Sequence, residues 1–330
     1  MDRMRPFPVA VSRRAPIEIG LLNNMPDAAL HATERQFASL LKAAAGPHEV
    51  RLRFYSLPEV PRGEYTRVYM GALYGELDEM FDANLDGLIV TGAEPRAAEL
   101  ADEPYWNRLA RVIDWAEANV AASYWSCLAA HAAVQHLDGV RRVPLAAKCS
   151  GVFDCDVVGE DALLTHLHEP IRAPHSRLNG LDEQELAAHG YTVLTRSVEA
   201  GVDTFVKRGR GLMMFGQGHP EYDADTLLRE YCRDMGRFLC GKRGAAPTAP
   251  AHYLNLRTQR ALEAVAGRDP DPALMERYNA IAATAAPKQV WRASAVALFR
   301  NWLHHIASHK AAASLAAGTA EGRTLLAAKA

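Results

Sequence analysis

The sequence predicts an α/β fold with three layers, in which a mainly parallel sheet carries helices on both faces. Short apolar runs alternate with helix-like stretches from residue 17 to about residue 240, and this alternation favours a parallel sheet. Two of the runs, AASYWS at 121–126 and GLMMFG at 211–216, combine small, aromatic and aliphatic residues. Runs of this kind fit strands that are buried on both faces.

The remaining elements follow from apolar periodicity and from turn residues. Strands are expected at 17–22, 49–55, 85–90, 121–126, 150–158, 191–196 and 211–216. Helices are expected at 28–45, 105–119, 128–137 and 225–239, and Asp225 is a plausible N-cap of the last.

The chain divides into three parts. Residues 1–16 carry Arg and Pro and are expected to form a loose lead-in, and residues 17–240 form the main domain. Residues 241–251 (GKRGAAPTAPA) are expected to be a linker, and helical patches with Trp291 and Trp302 follow it. The Ala-rich end is expected to lose order after about residue 310.

Composition and charge argue against several classes of function and of binding partner. The 330 residues are 49% apolar and carry a net charge of −2 with no long basic block, which argues against nucleic acid or an anionic membrane as partner. There is no apolar run of about eighteen residues, and the N-terminus lacks the apolar core of a secretory signal. The five cysteines include no repeated C-x-x-C, so we expect a cytoplasmic protein without disulfides or a metal.

Cys127 is the first candidate functional residue. It lies between the strand at 121–126 and the helix at 128–137, where free N–H groups and a partial positive charge favour a thiolate. A thiolate attacks carbonyl groups. The competing interpretation is a core cysteine, since free cysteines are commonly buried.

His219 and Glu221 form the second candidate. They follow the strand at 211–216, and strand ends on one edge of a parallel sheet converge. An imidazole beside the Cys127 thiol can take its proton, and a carboxylate can orient the imidazole. Taken singly, His219 is better explained as a turn histidine, and Glu221 as a solvated acid or a helix N-cap.

Several ordered motifs resemble the homoserine O-acyltransferases of methionine biosynthesis, which share the class I glutamine-amidotransferase fold. Gly218-His219-Pro220-Glu221-Tyr222-Asp223 is the most specific of them. The others are Ile19-Gly20-Leu21-Leu22-Asn23 with Met25-Pro26, Thr91-Gly92-Ala93, Tyr105-Trp106, Lys148 with Ser150-Gly151-Val152-Phe153, Ala173-Pro174-His175-Ser176-Arg177, Trp291-Arg292, Leu298-Phe299 and Asn301-Trp302-Leu303.

The resemblance implies a two-step acyl transfer. Cys127 takes an acyl group from acyl-CoA as a thioester, His219 is the general base in both steps and Glu221 orients it. The homoserine hydroxyl then attacks the thioester. The oxyanion is expected on backbone N–H groups, that of Leu128 and one from the turn at residues 23–26.

The resemblance also implies the ligands and the assembly. Lys148, Ser176 and Arg233 match the substrate contacts of the family, and Arg177 is their neighbour in the same motif. Succinyl-CoA or acetyl-CoA is a co-substrate, no cofactor stays bound, and the protein is expected to be a homodimer.

The chain departs from the family pattern at several positions. Leu128 follows the nucleophile where Trp is usual, and His131 replaces a Gln. His131 is then either a core histidine, which we favour, or a second titrating group near the thiol. Asp27 replaces a Lys beside the expected site, which leaves a related acceptor such as serine open.

Arg96 is the departure that bears on the acyl group. The family has glycine there with succinyl and glutamate with acetyl. Because a cation can pair with the free carboxylate of succinyl, Arg96 favours succinyl-CoA over acetyl-CoA.

Two other classes of function stay open from the residues. One is an amidase or glutaminase with the same Cys, His and Glu, although Trp125 and Ala129 stand where a glutaminase usually has glycines. The other is a non-enzymatic binding protein on the same fold.

Overall fold

A computed structural model describes residues 15–167, 170–266 and 270–327 of the chain. Its centre is a nine-stranded sheet with the order β2-β1-β3-β4-β9-β8-β7-β5-β6. The strands are β1 Ile17–Leu22, β2 Val50–Tyr55, β3 Gly87–Val90, β4 Ala122–Ser126, β5 Val143–Val157, β6 Ile171–Gly180, β7 Thr192–Ser197, β8 Gly201–Arg208 and β9 Leu212–Gly216.

The helices surround this sheet. They are α1 Asp27–Ala44, α2 Glu64–Leu73, α3 Leu77–Asp82, α4 Trp106–Asn119, α5 Leu128–Asp138, α6 Glu183–Ala188, α7 Thr226–Leu239, α8 Leu256–Ala266, α9 Leu274–Ala283 and α10 Arg292–Ala327. Short 3-10 turns lie at Leu100–Asp102 and Ala162–Leu164. Asp225 precedes α7 as predicted, but its carboxylate makes no capping bond and instead pairs with Arg229 at 3.0 Å.

The predicted α/β fold with a parallel core is confirmed. Strands β2, β1, β3, β4 and β9 pair in parallel, whereas β8, β7, β5 and β6 continue the sheet in antiparallel pairs. The sequence did not predict β6 or β8. Pro174 in β6 argues against a strand, but β6 is the edge strand of the sheet, where proline is tolerated.

Helices cover the parallel core on both faces. Successive strand residues point to opposite faces, so Leu88 packs in one core cluster with Val112 of α4 and Ala133 of α5. Ile89 packs in the other cluster with Phe37 of α1, together with the first half of α10. The two clusters explain why the buried strands are apolar on both sides.

The C-terminal segment is part of the core. Trp302, Leu303 and Ile306 of α10 are completely buried against the sheet. The predicted linker at 241–251 ends in a bridge between Ala251 and Gly151 of β5. The helix α10 continues past residue 310, where disorder was expected, and residues 328–330 lie outside the described residues. Most of the expected lead-in, residues 1–14, also lies outside them. None of the described helices has the length and apolar character needed to cross a membrane.

The burial of α10 predicts a large loss of stability when its packing is removed. Trp302→Ala is expected to lower the free energy of unfolding by about 3–5 kcal/mol, because it leaves a cavity under the sheet. Val198→Ala, at a side chain that is 96% exposed, is expected to change it by less than about 0.5 kcal/mol. Urea unfolding followed by circular dichroism measures both, and equal midpoints for the two variants would mean that α10 does not support the core.

Candidate active site

Cys127 occupies a strained turn between β4 and α5. Its φ of 50° and ψ of −108° lie outside the regions that L-residues usually adopt, at a cost of about 1–3 kcal/mol. Its N–H donates to the carbonyl oxygen of Gly216 at 2.7 Å, which ties the turn to the end of β9. The turn presents the thiol at the N-terminus of α5, as a nucleophile requires.

His219 and Glu221 lie beside this thiol. Strands β4 and β9 are parallel neighbours, so the segments after them leave the sheet side by side. The Cys127 thiol is close enough to the His219 ring to raise its pKa, and His219 Nδ1 lies 2.9 Å from Oε1 of Glu221. Because Nδ1 faces the carboxylate, Nε2 is the ring atom that faces the sulfur. The structure thus brings together the three residues that the sequence placed at two strand ends.

The surroundings of His219 favour its charged form. Burial would lower the pKa of His219, but Glu221 and Cys127 outweigh burial and raise it well above its usual value. The Tyr222 ring stacks on the imidazole, with centroids 4.2 Å apart and an interplanar angle of 13°, and an aromatic face further favours a cation.

The backbone next to Cys127 offers donors to an oxyanion, but not all of those expected. Leu128 is the first residue of α5, so its N–H has no acceptor within the helix. The turn at residues 23–26 does not fit the second donor, because its N–H groups are used within the protein. Asn23 donates to the Tyr55 carbonyl (2.8 Å), Asn24 to Thr91 Oγ1 (2.8 Å) and Met25 to Asn23 Oδ1 (3.3 Å), and Pro26 has no N–H.

Gly92 packs against the first residue of α5. A Cβ atom built on Gly92 would stand 2.7 Å from Cβ of Leu128 and 3.3 Å from its nitrogen. Only glycine therefore allows the segment after β3 to approach the start of α5 this closely.

A polar cluster centred on Glu230 of α7 lies behind Tyr222. The Tyr222 hydroxyl donates to Glu230 Oε1 at 2.7 Å, and the Ser176 hydroxyl donates to Oε2. Lys148 Nζ lies 3.8 Å from the same oxygen. Glu230 was missed from the sequence, where it stood as one charged residue of a predicted helix.

Asp234, one helical turn after Glu230, completes the cluster. It accepts from Lys148 Nζ at 3.0 Å and pairs with Nη2 of Arg233 at 3.1 Å. Burial would raise the pKa of Asp234, but Lys148 and Arg233 outweigh it and lower the pKa. Three predicted substrate contacts, Lys148, Ser176 and Arg233, thus lie in one cluster. The i, i+4 spacing of the two acids was the signal that could have revealed it.

Arg177 is directed elsewhere. It is 5% exposed, and its guanidinium donates to the carbonyls of Asn179 (2.6 Å) and Ala200 and to Nδ1 of His175 (3.3 Å). The expectation that it contacts substrate does not fit this placement, because its donors are taken up inside the protein.

His175 joins Arg177 to a buried acid. Its Nε2 lies 3.3 Å from Oδ1 of Asp203, and burial lowers the pKa of His175. The ring thus lies between a cation and a carboxylate, but its Nε2 makes no hydrogen bond among the described residues. Ligand-type atoms of Cys155, His175 and Asp203 lie within 4.8 Å of one another, but the fixed charge of Arg177 opposes a metal cation there.

Arg96 lies in the loop after β3, with an exposed side chain. The loop is fixed from inside by Glu103, which is 3% exposed. The Glu103 Oε1 accepts the N–H groups of Arg96 at 2.5 Å and of Ala97 at 2.8 Å. The guanidinium of Arg96 therefore extends from a braced backbone.

His131 faces the core. Its Nε2 lies 2.9 Å from Oε1 of Gln217, whose Nε2 donates to the carbonyl of Val202 at 2.6 Å. The glutamine oxygen is therefore the acceptor, which assigns the histidine proton to Nε2. Burial lowers the pKa of His131 to about 4, so the ring is neutral. This placement fits the core histidine that we favoured.

Comparison with known proteins gives one consistent family. The family model described as homoserine O-succinyltransferase matches residues 8–313. A homoserine O-succinyltransferase of Rhodopseudomonas palustris is 52% identical over 297 residues, covering 88% of this chain and 89% of the relative. One from Methylorubrum extorquens is 47% identical over 312 residues, covering 93% and 92%.

A solved structure shares the fold. The crystal structure of a glutamine amidotransferase from Thermotoga maritima superposes with a TM-score of 0.51 at 12% identity, covering 89% of this chain and 99% of that chain. This likeness concerns the architecture of the sheet and its helices.

The environment of His131 predicts a pH effect on stability without an effect on the thiol. The unfolded chain binds a proton to His131 below about pH 6.5, whereas the buried ring does not until about pH 4. As the pH decreases from about 6.5 to about 4, the unfolding free energy of the wild type should fall relative to that of His131→Gln. The slope should approach about 1.4 kcal/mol per pH unit. Urea titrations at several pH values measure this difference.

The same variant tests whether His131 influences the nucleophile. The pH dependence of Cys127 alkylation by iodoacetamide is expected to be the same in wild type and His131→Gln. A shifted alkylation profile, or parallel stability curves, would contradict the neutral core histidine.

Proposed function

The chain belongs to the homoserine O-succinyltransferase family, and from this premise we propose that it moves a succinyl group from succinyl-CoA to the homoserine hydroxyl, in methionine biosynthesis, through a Cys127 thioester. The observation that carries the proposal is that the neighbouring strands β4 and β9 bring Cys127 beside His219, which Glu221 holds by a 2.9 Å hydrogen bond. Its place of action is proposed to be the cytoplasm.

The first half-reaction forms the acyl-enzyme. His219 takes the thiol proton, and the Cys127 sulfur forms a bond to the carbonyl carbon of the acyl-CoA thioester. When the tetrahedral intermediate collapses, the bond from that carbon to the CoA sulfur breaks, and the imidazolium returns the proton to the leaving thiolate. Glu221 stabilises the imidazolium between these transfers.

In the second half-reaction the homoserine oxygen is the nucleophile and the Cys127 sulfur is the leaving group. The homoserine hydroxyl gives its proton to His219, and its oxygen bonds to the thioester carbon. The bond to the Cys127 sulfur then breaks, and the sulfur recovers the proton. One imidazole serves both half-reactions, so the kinetics should be ping-pong.

The oxyanion of both intermediates is proposed to lie at the N-terminus of α5. The Leu128 N–H is one donor, and the segment Gly92-Ala93, packed against Leu128, supplies the second. A donor of this type contributes about 3–4 kcal/mol to transition-state stabilisation.

The amino acid is proposed to bind in the cluster around Glu230. The Glu230 carboxylate suits its ammonium group, and Arg233, whose side chain is half exposed, suits its carboxylate. Ser176 and Lys148 hold Glu230 from the facing strands. Serine, with a hydroxyl one methylene closer, is the alternative acceptor.

Asp27 has an internal role that leaves this acceptor site intact. Its carboxylate accepts the Gly63 N–H at 2.7 Å and pairs with Arg62 at 3.4 Å. The replacement of the family lysine is therefore accounted for by contacts within the protein and gives no reason to choose another acceptor.

Mass spectrometry tests the acyl-enzyme directly. Intact protein mixed with succinyl-CoA is expected to gain about 100 Da, the mass of one succinyl group, and to lose it when homoserine is added. Cys127→Ala should gain nothing, whereas Cys149→Ala, a matched control that removes a neighbouring thiol, should still be acylated. His219→Asn should slow acylation by about a hundredfold or more.

Each other outcome of this experiment decides against the proposal. Acylation of Cys127→Ala would remove the assigned nucleophile. Glutamine turnover without an acyl adduct would favour an amidase, and neither reaction would favour a binding protein.

The position of Arg96 predicts donor selectivity. Arg96→Glu is expected to lower kcat/KM for succinyl-CoA relative to acetyl-CoA by about tenfold, because a carboxylate replaces the cation that pairs with the succinyl carboxylate. Arg96→Gln should show an intermediate loss, and added salt should reduce both effects. Steady-state kinetics with the two donors measures the ratio, and an unchanged ratio in Arg96→Glu would remove this residue from acyl selection.

A further inference from the structure

Two residues of the C-terminal segment bind the carbonyl oxygen of Tyr222, which lies next to the active site. Gln289 donates to this oxygen through Nε2 at 2.5 Å, and Trp291 donates through Nε1 at 3.1 Å. The two donors come from 67 and 69 residues further along the chain. Trp291 is only 1% exposed and packs in a small cluster with Tyr222, Val152 and Leu227.

Tyr222 is the residue that connects this segment with the imidazole. Its ring lies parallel to the His219 ring at 4.2 Å, and its N–H donates to the His219 carbonyl at 3.1 Å. Its hydroxyl is fixed by Glu230 at 2.7 Å. A shift of the Tyr222 backbone therefore displaces the aromatic ring that stacks on the imidazole.

His219 tolerates little movement. Its ring must meet Glu221 on one side and the Cys127 thiol on the other. A displacement of about 1 Å in such an arrangement costs roughly a hundredfold in rate.

We propose that Gln289 and Trp291 are positioning residues, which hold the Tyr222 carbonyl so that the Tyr222 ring keeps His219 aligned with Cys127 and Glu221. The inference rests on the proposed role of His219. It gives the segment before α10 a part in the reaction that acts through Tyr222.

The segment is well anchored for this role. It leads directly into α10, whose Phe299, Trp302 and Leu303 are completely buried under the sheet. Because these residues pack against the same sheet that carries β9, the two donors are held at a fixed distance from the strand that precedes His219.

The test removes both donors, while Gln289→Met keeps the side-chain volume and Trp291→Phe keeps an aromatic ring. The double variant Gln289→Met with Trp291→Phe loses the two hydrogen bonds to Tyr222. Trp302→Phe is the matched control: it is the same substitution in the same segment, and Trp302 is fully buried. The Trp302 Nε1 has no hydrogen-bond partner among the described residues.

The measurement is the alkylation rate of Cys127 by iodoacetamide against pH, followed by peptide mass spectrometry. The double variant is expected to react about fivefold more slowly than wild type near pH 6.5 and at a similar rate near pH 9.5, because a displaced imidazole no longer takes the proton of the thiol. Its kcat should fall about tenfold. Trp302→Phe should follow the wild-type profile even where its melting temperature is lower.

The outcomes separate this inference from the proposed function. Alkylation needs no acyl-CoA. If the wild type forms no acyl adduct but the double variant has a shifted alkylation profile, the result would support the positioning role and contradict the acyl transfer. An acylated wild type with a double variant that follows Trp302→Phe would overturn the positioning alone. If the double variant does not fold, the two single variants are measured, and wild-type profiles in both would overturn it.

Discussion

The site depends on the parallel pairing of β4 with β9. Ser126 at the end of one strand stands opposite Gly216 at the end of the other, and the Cys127 N–H continues this ladder to the Gly216 carbonyl at 2.7 Å. That hydrogen bond joins the turn with the sulfur to the segment with the imidazole. Since both strands are buried in the sheet, neither residue can move away from the other without disturbing the core.

Two buried histidines near this pairing have pKa values that are shifted in opposite directions. His131 is fully buried against the neutral Gln217, and its pKa falls to about 4. His219 is also buried, but Glu221 and the Cys127 thiol raise its pKa well above the usual value. The partner therefore decides the charge, because desolvation acts against the cation in both cases. One ring is suited to packing and the other to moving protons.

The sequence predicted the parts of the molecule that local pattern determines. The central parallel strands β3, β4 and β9 are mostly apolar runs, Cys127 comes directly after β4, and His219 lies three residues after β9. Partners that are distant in the chain were not visible. Arg177 was expected at the substrate because it neighbours Ser176 in the motif, and the Ala200 carbonyl that it binds is distant in the sequence. The turn at residues 23–26 does not supply the expected oxyanion donor, because the Asn24 N–H donates to Thr91 Oγ1. Glu230 resembled a solvated helix charge until β6 placed Ser176 against it.

The C-terminal segment shows how one stretch of chain can serve both stability and chemistry. Its helix α10 shares the apolar face of the sheet with α1, so the segment is needed for a closed core. The residues that lead into this helix bind the Tyr222 carbonyl, and Tyr222 stacks on His219. Because the helix is fixed by burial, the entropy of ordering these two donors is lost on folding rather than during each turnover. An aligned imidazole is then a consequence of a packed core.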